Sequence, residues 1–83
     1  MKEQDIVNLG FKRVDVTAEE SGDGAFYYYT YDLGNGTLSL ISNANNEIID
    51  GRWSIEIFED ETIQFWGVSD LIKFIDVIKK NTI

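Results

Sequence analysis

The sequence predicts an α+β fold: a short N-terminal helix, a mainly antiparallel meander sheet of about five strands, and a C-terminal amphipathic helix packed on one face of the sheet. Runs with period-two alternation recur between short polar turns, which is typical of antiparallel strands. One long helical stripe of apolar residues closes the sequence and needs a sheet face to cover. The 83 residues leave room for a single domain, residues 1–83, because so short a chain cannot sustain two separate cores.

The N-terminal segment, residues 3–9, is predicted to be a short helix. Its first turn is acidic, which suits the positive end of a helix, and Gly10 follows its last residue. Glycine tolerates the left-handed conformation that ends many helices, and in that geometry Phe11 folds back onto Ile6. The next run, residues 12–17, alternates valine with polar residues and is predicted to be a strand with one buried face.

Residues 18–24 are polar and include two glycines, so we expect a loop without regular structure there. The run that follows, residues 25–33, is the strongest strand signal because aromatic side chains favour a pleated, half-buried surface. Alternation divides this run into two faces. One face carries Tyr27, Tyr29, Tyr31 and Leu33, and the other carries Phe26, Tyr28, Thr30 and Asp32. Aromatic rings therefore remain outside whichever face is buried.

Two hairpins are predicted next. The turn Gly34-Asn35-Gly36 joins strand 25–33 to strand 37–42, since its residues tolerate positive φ. After a polar turn region at 43–51, strands 52–58 and 62–68 are joined by the acidic turn Glu59-Asp60-Glu61. The side chains expected to point inward from this second hairpin are Trp53, Ile55, Ile57, Ile63 and Phe65, and those expected to point outward are Ser54, Glu56, Phe58, Gln64 and Trp66.

The last segment is predicted to be a helix that runs to about Asn81. Ser69 is placed as its N-cap, Asp70 lies at the positive end of the helix dipole, and the two lysines at 79–80 lie at the negative end. One side of the helix is an apolar stripe formed by Leu71, Phe74, Ile75 and Ile78. A stripe of this kind faces a core, so the helix is expected to lie on the sheet.

The composition argues against most catalytic chemistry. The chain has no His, Cys or Pro, so the side chains that usually supply proton transfer near neutral pH, nucleophiles and zinc ligands are missing. We therefore expect a protein that is not an enzyme and that carries neither a cofactor nor a metal. The N-terminus is polar and acidic and no long apolar run follows it, so we expect a cytoplasmic protein without a membrane span.

The net charge of −8, from 15 acidic against 7 basic residues, indicates the kind of partner. Direct binding to nucleic acid or to an anionic membrane needs clustered Lys and Arg, so we expect neither. We expect a basic protein as the partner instead. The acidic residues singled out for such a partner are Glu56, Glu59, Asp60 and Glu61. On a rigid sheet edge, same-face carboxylates repeat at nearly the spacing of a phosphate row. The alternative is that these acids are solvated turns that only keep the protein soluble.

Three aromatic residues are expected to contact a partner: Phe58, Trp66 and Tyr28. Strand alternation places Phe58 and Trp66 on the outer face of the second hairpin, near Glu56 and Gln64. Tryptophan and tyrosine supply large, rigid contact areas at protein interfaces. Two alternatives remain open, namely ordinary cross-strand packing of these rings and a second small core beneath the N-terminal helix.

In general character the chain resembles the small acidic proteins that phages and mobile elements of low-GC bacteria encode. The segments that carry this likeness are LGFK at 9–12, YYY at 27–29, WSIEI at 53–57 and DLI at 70–72. The resemblance implies an anti-defence protein, a class that includes anti-CRISPR inhibitors. The leading hypothesis is a non-enzymatic protein-binding module, in its specific form a phage-type inhibitor or nucleic-acid mimic that binds a basic, nucleic-acid-handling host protein. The alternatives are a structural or homodimeric accessory protein and, as a third, a small carbohydrate-binding module.

Overall fold

The computed structural model describes residues 1–33 and 38–81, and only the backbone of Glu61. The helices are α1 (Glu3–Asn8), α2 (Ala18–Ser21) and α3 (Val68–Lys80), with a 3₁₀ turn at Asn45–Glu47. The strands are β1 (Lys12–Val16), β2 (Phe26–Asp32), β3 (Ser39–Ser42), β4 (Ile55–Ile57) and β5 (Asp60–Phe65). The predicted α+β fold is confirmed. The predicted turn Gly34-Asn35-Gly36 and the first residue of the predicted strand 37–42 lie outside the described residues.

The five strands form one sheet in the order β1-β2-β3-β4-β5, and every pair of neighbours is antiparallel. This is the predicted meander, in which each strand pairs with the next one along the chain. One row of paired residues crosses the whole sheet and consists of Lys12, Thr30, Ile41, Glu56 and Gln64. Because successive residues of a strand point to opposite faces, this row assigns the side chains of the regular strands to one face or the other.

Helix α1 ends as the sequence predicts. Gly10 has a φ of +93°, in the left-handed region. The N–H of Gly10 donates to the carbonyl of Val7 at 3.1 Å, and the N–H of Phe11 donates to the carbonyl of Ile6 at 3.3 Å. These two hydrogen bonds define a Schellman ending. Ile6 and Phe11 are both buried in the core, so the ending also directs the chain into β1.

Segment 18–24, predicted to be a loop, begins with the single turn of α2. Thr17 caps this turn, since its side-chain oxygen accepts from the N–H of Glu20 at 3.2 Å and its hydroxyl donates to the carboxylate of Glu20 at 3.0 Å. Gly22, with a φ of +78°, ends it. The prediction is wrong because it weighed only the polar composition, whereas a threonine three residues before a glutamate is itself a helix-start signal.

The turn of the second hairpin lies earlier than predicted. It consists of Phe58 and Glu59, with Glu59 at a φ of +70°, and β5 already begins at Asp60. Asp60 pairs with Ile57 across this two-residue turn. The predicted turn Glu59-Asp60-Glu61 is therefore wrong, because acidity marks solvent exposure and does not set the register of a hairpin.

A bulge then interrupts the ladder between β4 and β5. Ile57 pairs with Asp60, and the neighbouring residue on β4, Glu56, pairs with Gln64. Residues 61–63 of β5 therefore have no counterpart on β4. An insertion of this kind re-aims the side chains around it. Ile63 is 42% exposed, so its predicted inward orientation is wrong. Strand β5 ends at Phe65, and Trp66 lies beyond the strand in which it was predicted.

Helix α3 begins at Val68 with Gly67 as its N-cap, so the predicted N-cap at Ser69 is wrong, and no side chain caps this end. The predicted apolar stripe is confirmed, and it consists of the buried Leu71 and Ile75 and the half-buried Phe74 and Ile78. Phe74 packs against Phe65 of β5 with ring centroids 4.9 Å apart. The helix therefore lies on the sheet at the β5 side.

Helices α1 and α3 cover the same face of the sheet. The core between them and the sheet consists of Ile6, Phe11, Tyr29, Leu33, Leu40, Trp53, Ile55, Leu71 and Ile75. Trp53 packs against Tyr27 and Tyr29, with ring centroids 6.1 and 5.7 Å away. The alternative in which the N-terminal helix covers the second face of the sheet is wrong, since Ile6 of α1 shares one core with Leu71 of α3.

Candidate functional site

The face of the sheet opposite α1 and α3 is called the open face below. The register assigns to it Lys12, Val14, Val16, Phe26, Tyr28, Thr30, Asp32, Ser39, Ile41, Glu56 and Gln64. All of these side chains are half-buried or exposed. On the covered face, by contrast, Tyr29, Leu40 and Ile55 are at most 5% exposed. Within the described ranges, the open face is thus a partly aromatic surface in contact with solvent.

One end of the open face is a depression of about 310 Å³, lined by Phe58, Tyr28 and Ile41 among others and called the Phe58 end. Phe58 lies in the β4–β5 turn, and its side chain is 55% exposed. Its backbone N–H donates to the carbonyl of Ser39 at 2.9 Å, which extends the β3–β4 ladder by one residue. Tyr28 lies beside Phe26, with ring centroids 6.4 Å apart. Aromatic rings from β2 and from the β4–β5 turn therefore lie at this end.

The other end is a depression of about 440 Å³ that includes Trp66 in its wall, called the Trp66 end. The Trp66 side chain is 52% exposed. Its carbonyl accepts a hydrogen bond from the nitrogen of Met1 at 2.7 Å, and the same nitrogen donates to the carbonyl of Trp53 at 3.2 Å. The N–H of Trp53 in turn donates to the carbonyl of Met1 at 2.9 Å. A backbone hydrogen bond thus positions Trp66, and about half of its side chain remains exposed to solvent.

A third depression, of about 380 Å³, connects the two ends. It shares Ile41 with the Phe58 end, and it shares Asn43, Glu47 and Glu56 with the Trp66 end. Together the three depressions form one groove along β3 and β4, called the open-face groove. The 3₁₀ turn at Asn45–Glu47 contributes part of its rim.

The groove wall is negatively charged. Its acidic lining residues are Asp32, Glu47, Asp50 and Glu56, and Arg52 is the one basic residue that lines it in the described part of the chain. Hydrogen bonds hold two of the carboxylates, since Gln64 donates to Glu56 at 3.1 Å and the N–H of Ala44 donates to Glu47 at 3.2 Å. Several carboxylates in one concave surface attract cations and repel anions.

Four of the seven residues predicted to bind a partner line this groove. Tyr28 and Phe58 lie together at one end, and Glu56 and Trp66 lie together at the other. Glu47 and Asp50 also line the groove, although the sequence predicts only a polar turn region for them. No local signal marks them, because their proximity to Glu56 depends on how the connection between β3 and β4 folds.

The other three predicted residues are the acids of the β4–β5 region. Glu59 is exposed in the turn. The carboxylate of Asp60 accepts hydrogen bonds from the hydroxyl and the N–H of Thr62, and these bonds lower the pKa of Asp60. Asp60 therefore has a local structural contact that orders the start of β5. The side chain of Glu61 lies outside the described part of the chain.

Tyr29 and Glu3 form a polar pair on the covered face, and this pair stabilises the fold. The hydroxyl of Tyr29 donates a hydrogen bond to Glu3 at 2.7 Å, and burial together with this bond raises the pKa of Tyr29 to about 12. The carboxylate of Glu3 thus ties α1 to the middle of β2.

On β1, the guanidinium of Arg13 forms a salt bridge with Asp15 at 2.9 Å and stacks over the ring of Tyr27, 3.7 Å from the ring centroid.

No protein-family model, curated protein or solved structure matches the chain. None of the helices in the described ranges has the length and apolar character that crossing a membrane requires. Among the side chains that the structure describes, no three acidic groups converge as they would around a metal ion.

Proposed function

We propose that this protein is a non-enzymatic protein-binding module whose open-face groove contacts a partner protein. The observation that carries the proposal is the exposure of two large aromatic side chains, Phe58 at 55% and Trp66 at 52%, at the two ends of an uncovered sheet face. Large aromatic side chains dominate the binding energy of many protein interfaces. Backbone hydrogen bonds position both residues, so a partner loses less affinity to ordering them.

The distribution of the helices supports the same proposal. An antiparallel sheet commonly presents one solvated face, and that face is then expected to be polar. Here the uncovered face instead carries Phe26, Tyr28 and Ile41, while α1 and α3 both pack on the other side. Apolar surface that a partner removes from water contributes favourably to binding and offsets part of the entropy that association costs. The open face therefore offers a partner a favourable contact that the fold itself does not use.

The partner in this proposal is a basic protein. The chain carries a net charge of −8, and among the residues that the structure describes, four acidic side chains line the groove against one arginine. Complementary charge accelerates association and suppresses unsuitable partners. An inhibitor of a nucleic-acid-handling protein is the specific form that we favour, because carboxylates beside aromatic rings offer the charge and stacking surface that a basic nucleic-acid site binds.

The test is quantitative affinity capture from a native bacterial lysate with three forms of the chain. These are the wild type, a groove variant with Phe58→Ala and Trp66→Ala, and a control variant with Ile72→Ala and Val77→Ala. The control residues are 40% and 56% exposed on α3, on the other side of the sheet, so the control also loses two exposed apolar side chains. We expect a basic protein that the wild type and the control retain and that the groove variant loses.

Two outcomes contradict the proposal. Equal capture by the groove variant and the wild type places the interaction outside the groove. Recovery of the chain alone, with a dimer in light scattering that the groove substitutions do not change, favours the homodimeric accessory protein instead.

A further inference from the structure

We infer that the occupant of the open-face groove is an extended segment of the partner that places an arginine at the Trp66 end and an apolar side chain at the Phe58 end. This inference rests on the proposed function and specifies the chemistry of the partner. Three features of the groove carry it: the charge and aromatic surface at one end, the apolar lining at the other, and the separation between them.

An arginine suits the Trp66 end because an exposed indole and several carboxylates share one depression. Among the described residues, its wall contains Glu47, Asp50 and Glu56 against the guanidinium of Arg52, so an incoming cation still meets a net negative charge. A guanidinium stacks on an aromatic ring while it donates hydrogen bonds in its own plane. The compact ammonium of lysine lacks that planar geometry. The same carboxylates disfavour a phosphate backbone, so a protein segment is the better occupant than a nucleic acid.

The chain contains an internal example of this contact. The guanidinium carbon of Arg13 lies 3.7 Å from the ring centroid of Tyr27, and a nitrogen of the same group lies 2.9 Å from the carboxylate of Asp15. One guanidinium therefore stacks on a ring and binds a carboxylate at once, at an exposed position on a strand. The Trp66 end offers the same two groups to an arginine from outside.

An apolar side chain suits the Phe58 end because most of the described residues in its wall are apolar or aromatic, namely Tyr28, Tyr31, Leu40, Ile41 and Phe58. Tyr28, Ile41 and Phe58 come from β2, β3 and the β4–β5 turn, and Thr30, Ser39 and Asp32 complete the wall of the depression of about 310 Å³. Among the described residues of this wall, Asp32 is the one that carries a charge. An aliphatic or aromatic side chain covers these rings without leaving a buried charge unpaired.

The separation of the two ends requires an extended segment. Ile55 pairs with Phe65, so Trp66 lies at the level of Ser54, and Phe58 lies four positions further along the β4 direction. At the rise of a strand, four positions span roughly 13 Å. In an extended peptide, side chains four residues apart lie on the same side and span the same distance. We therefore expect the arginine and the apolar residue to be four positions apart.

The probe that tests the inference is a library of random 12-residue peptides displayed on phage. The library is panned in parallel on the wild-type chain and on the Trp66→Ala variant. We expect the wild type to enrich peptides that carry an arginine four positions from an aliphatic or aromatic residue. The Trp66→Ala variant is expected to lose this enrichment, and its circular dichroism spectrum verifies that it folds.

Fluorescence anisotropy with one labelled, enriched peptide then measures the contributions. We expect Trp66→Ala to weaken binding about tenfold and Glu56→Gln about threefold, and replacement of the peptide arginine by lysine to weaken it about fivefold. Glu56→Gln keeps the side-chain shape and an oxygen acceptor for Gln64. The matched control is Asp76→Asn, which removes the same charge from an exposed position on α3 and is expected to leave binding unchanged.

Each outcome separates this inference from the proposed function. Enriched peptides without arginine, enrichment that Trp66→Ala retains, or equal losses for Glu56→Gln and Asp76→Asn overturn the inference. Panning that enriches no peptide also overturns it, because an extended segment is then not the ligand. The proposed function survives all of these results if the lysate capture still depends on Phe58 and Trp66, and it fails separately if that dependence is missing.

Discussion

Replacing Trp66 and Trp53 separately by alanine measures how much each tryptophan contributes to the fold. Trp66 is 52% exposed, and its carbonyl keeps the hydrogen bond to Met1 after the substitution because that bond uses only the backbone. Trp53 is 5% exposed and packs against Tyr27 and Tyr29. The two substitutions remove the same atoms from the same small domain, so they differ only in what surrounds the ring.

The different burial of the two rings predicts different losses in the free energy of unfolding. Removing a buried tryptophan costs about 3–5 kcal/mol. The aromatic pairs of Trp53 with Tyr27 and Tyr29 place it in the upper part of that range, since such a pair adds about 0.5–1.5 kcal/mol. For Trp66, about half of the side chain is already in water, so we expect Trp66→Ala to lower the free energy of unfolding by about 1–2 kcal/mol.

Urea unfolding followed by far-UV circular dichroism measures both costs. A chain of this size loses about 1 kcal/mol of stability per molar urea. The midpoint is therefore expected to fall by about 1–2 M for Trp66→Ala. For Trp53→Ala we expect a drop of about 4 M or a chain that is unfolded without urea. Equal losses, or a larger loss for Trp66, refute the reasoning, because Trp66 is then a core residue and its exposure no longer supports a binding role.

Three further predictions follow from particular contacts. Gly10→Ala is expected to lower the free energy of unfolding by about 1–2 kcal/mol, and backbone strain alone is the cause, since the φ of Gly10 is +93° and the nearest atom to the added carbon is 4.0 Å away. The control is Gly24→Ala, whose added carbon meets nothing within 4 Å, and equal losses of stability in urea contradict the assigned helix ending. The pKa of Tyr29 is raised to about 12, so the contribution of this tyrosine to stability, at most about 3 kcal/mol, is complete below pH 10 and is lost as the pH rises through 12. In the Tyr29→Phe variant, the free energy of unfolding measured against pH should no longer show this loss between pH 10 and 12. Acrylamide quenching should resolve one accessible and one protected tryptophan, and Trp66→Phe should remove the accessible one; if the protected one disappears instead, the assignment of Trp66 to the surface is wrong.

The elements predicted correctly are those whose causes are local. The Schellman ending at Gly10 follows from the conformational freedom of one glycine and from apolar residues on either side of it. The division of β2 into two faces follows from strict alternation, which puts Tyr28 and Tyr29 on opposite faces. The structure decides that the face of Tyr29 is the buried one. The α3 stripe follows from helical periodicity. None of these features needs a distant partner to be defined.

The errors occur where a pairing across strands competes with a local pattern. Strict alternation through 62–68 predicts that Ile63 points inward, but the pairing of Ile57 with Asp60 and the bond from Thr62 to Asp60 produce a bulge that overrides it. The acidic turn was placed by composition, which does not distinguish Glu59 in the turn from Asp60 in the strand. Register depends on both strands together, so one strand read alone cannot supply it.

The sequence by itself determined which residues of β2 and of α3 share a face, where α1 ends, and that the chain is acidic, since alternation, glycine and formal charge are properties of short segments. Only the tertiary structure decided that both helices cover one face, that Glu47 and Asp50 join Glu56 in the groove, and that Phe58 and Trp66 lie at its two ends. These outcomes depend on interactions between residues far apart in the chain, such as the hydrogen bond of Met1 with Trp66 and the core that Ile6 and Leu71 share. The free energy of those contacts belongs to the whole core, and for that reason no single segment encodes the groove.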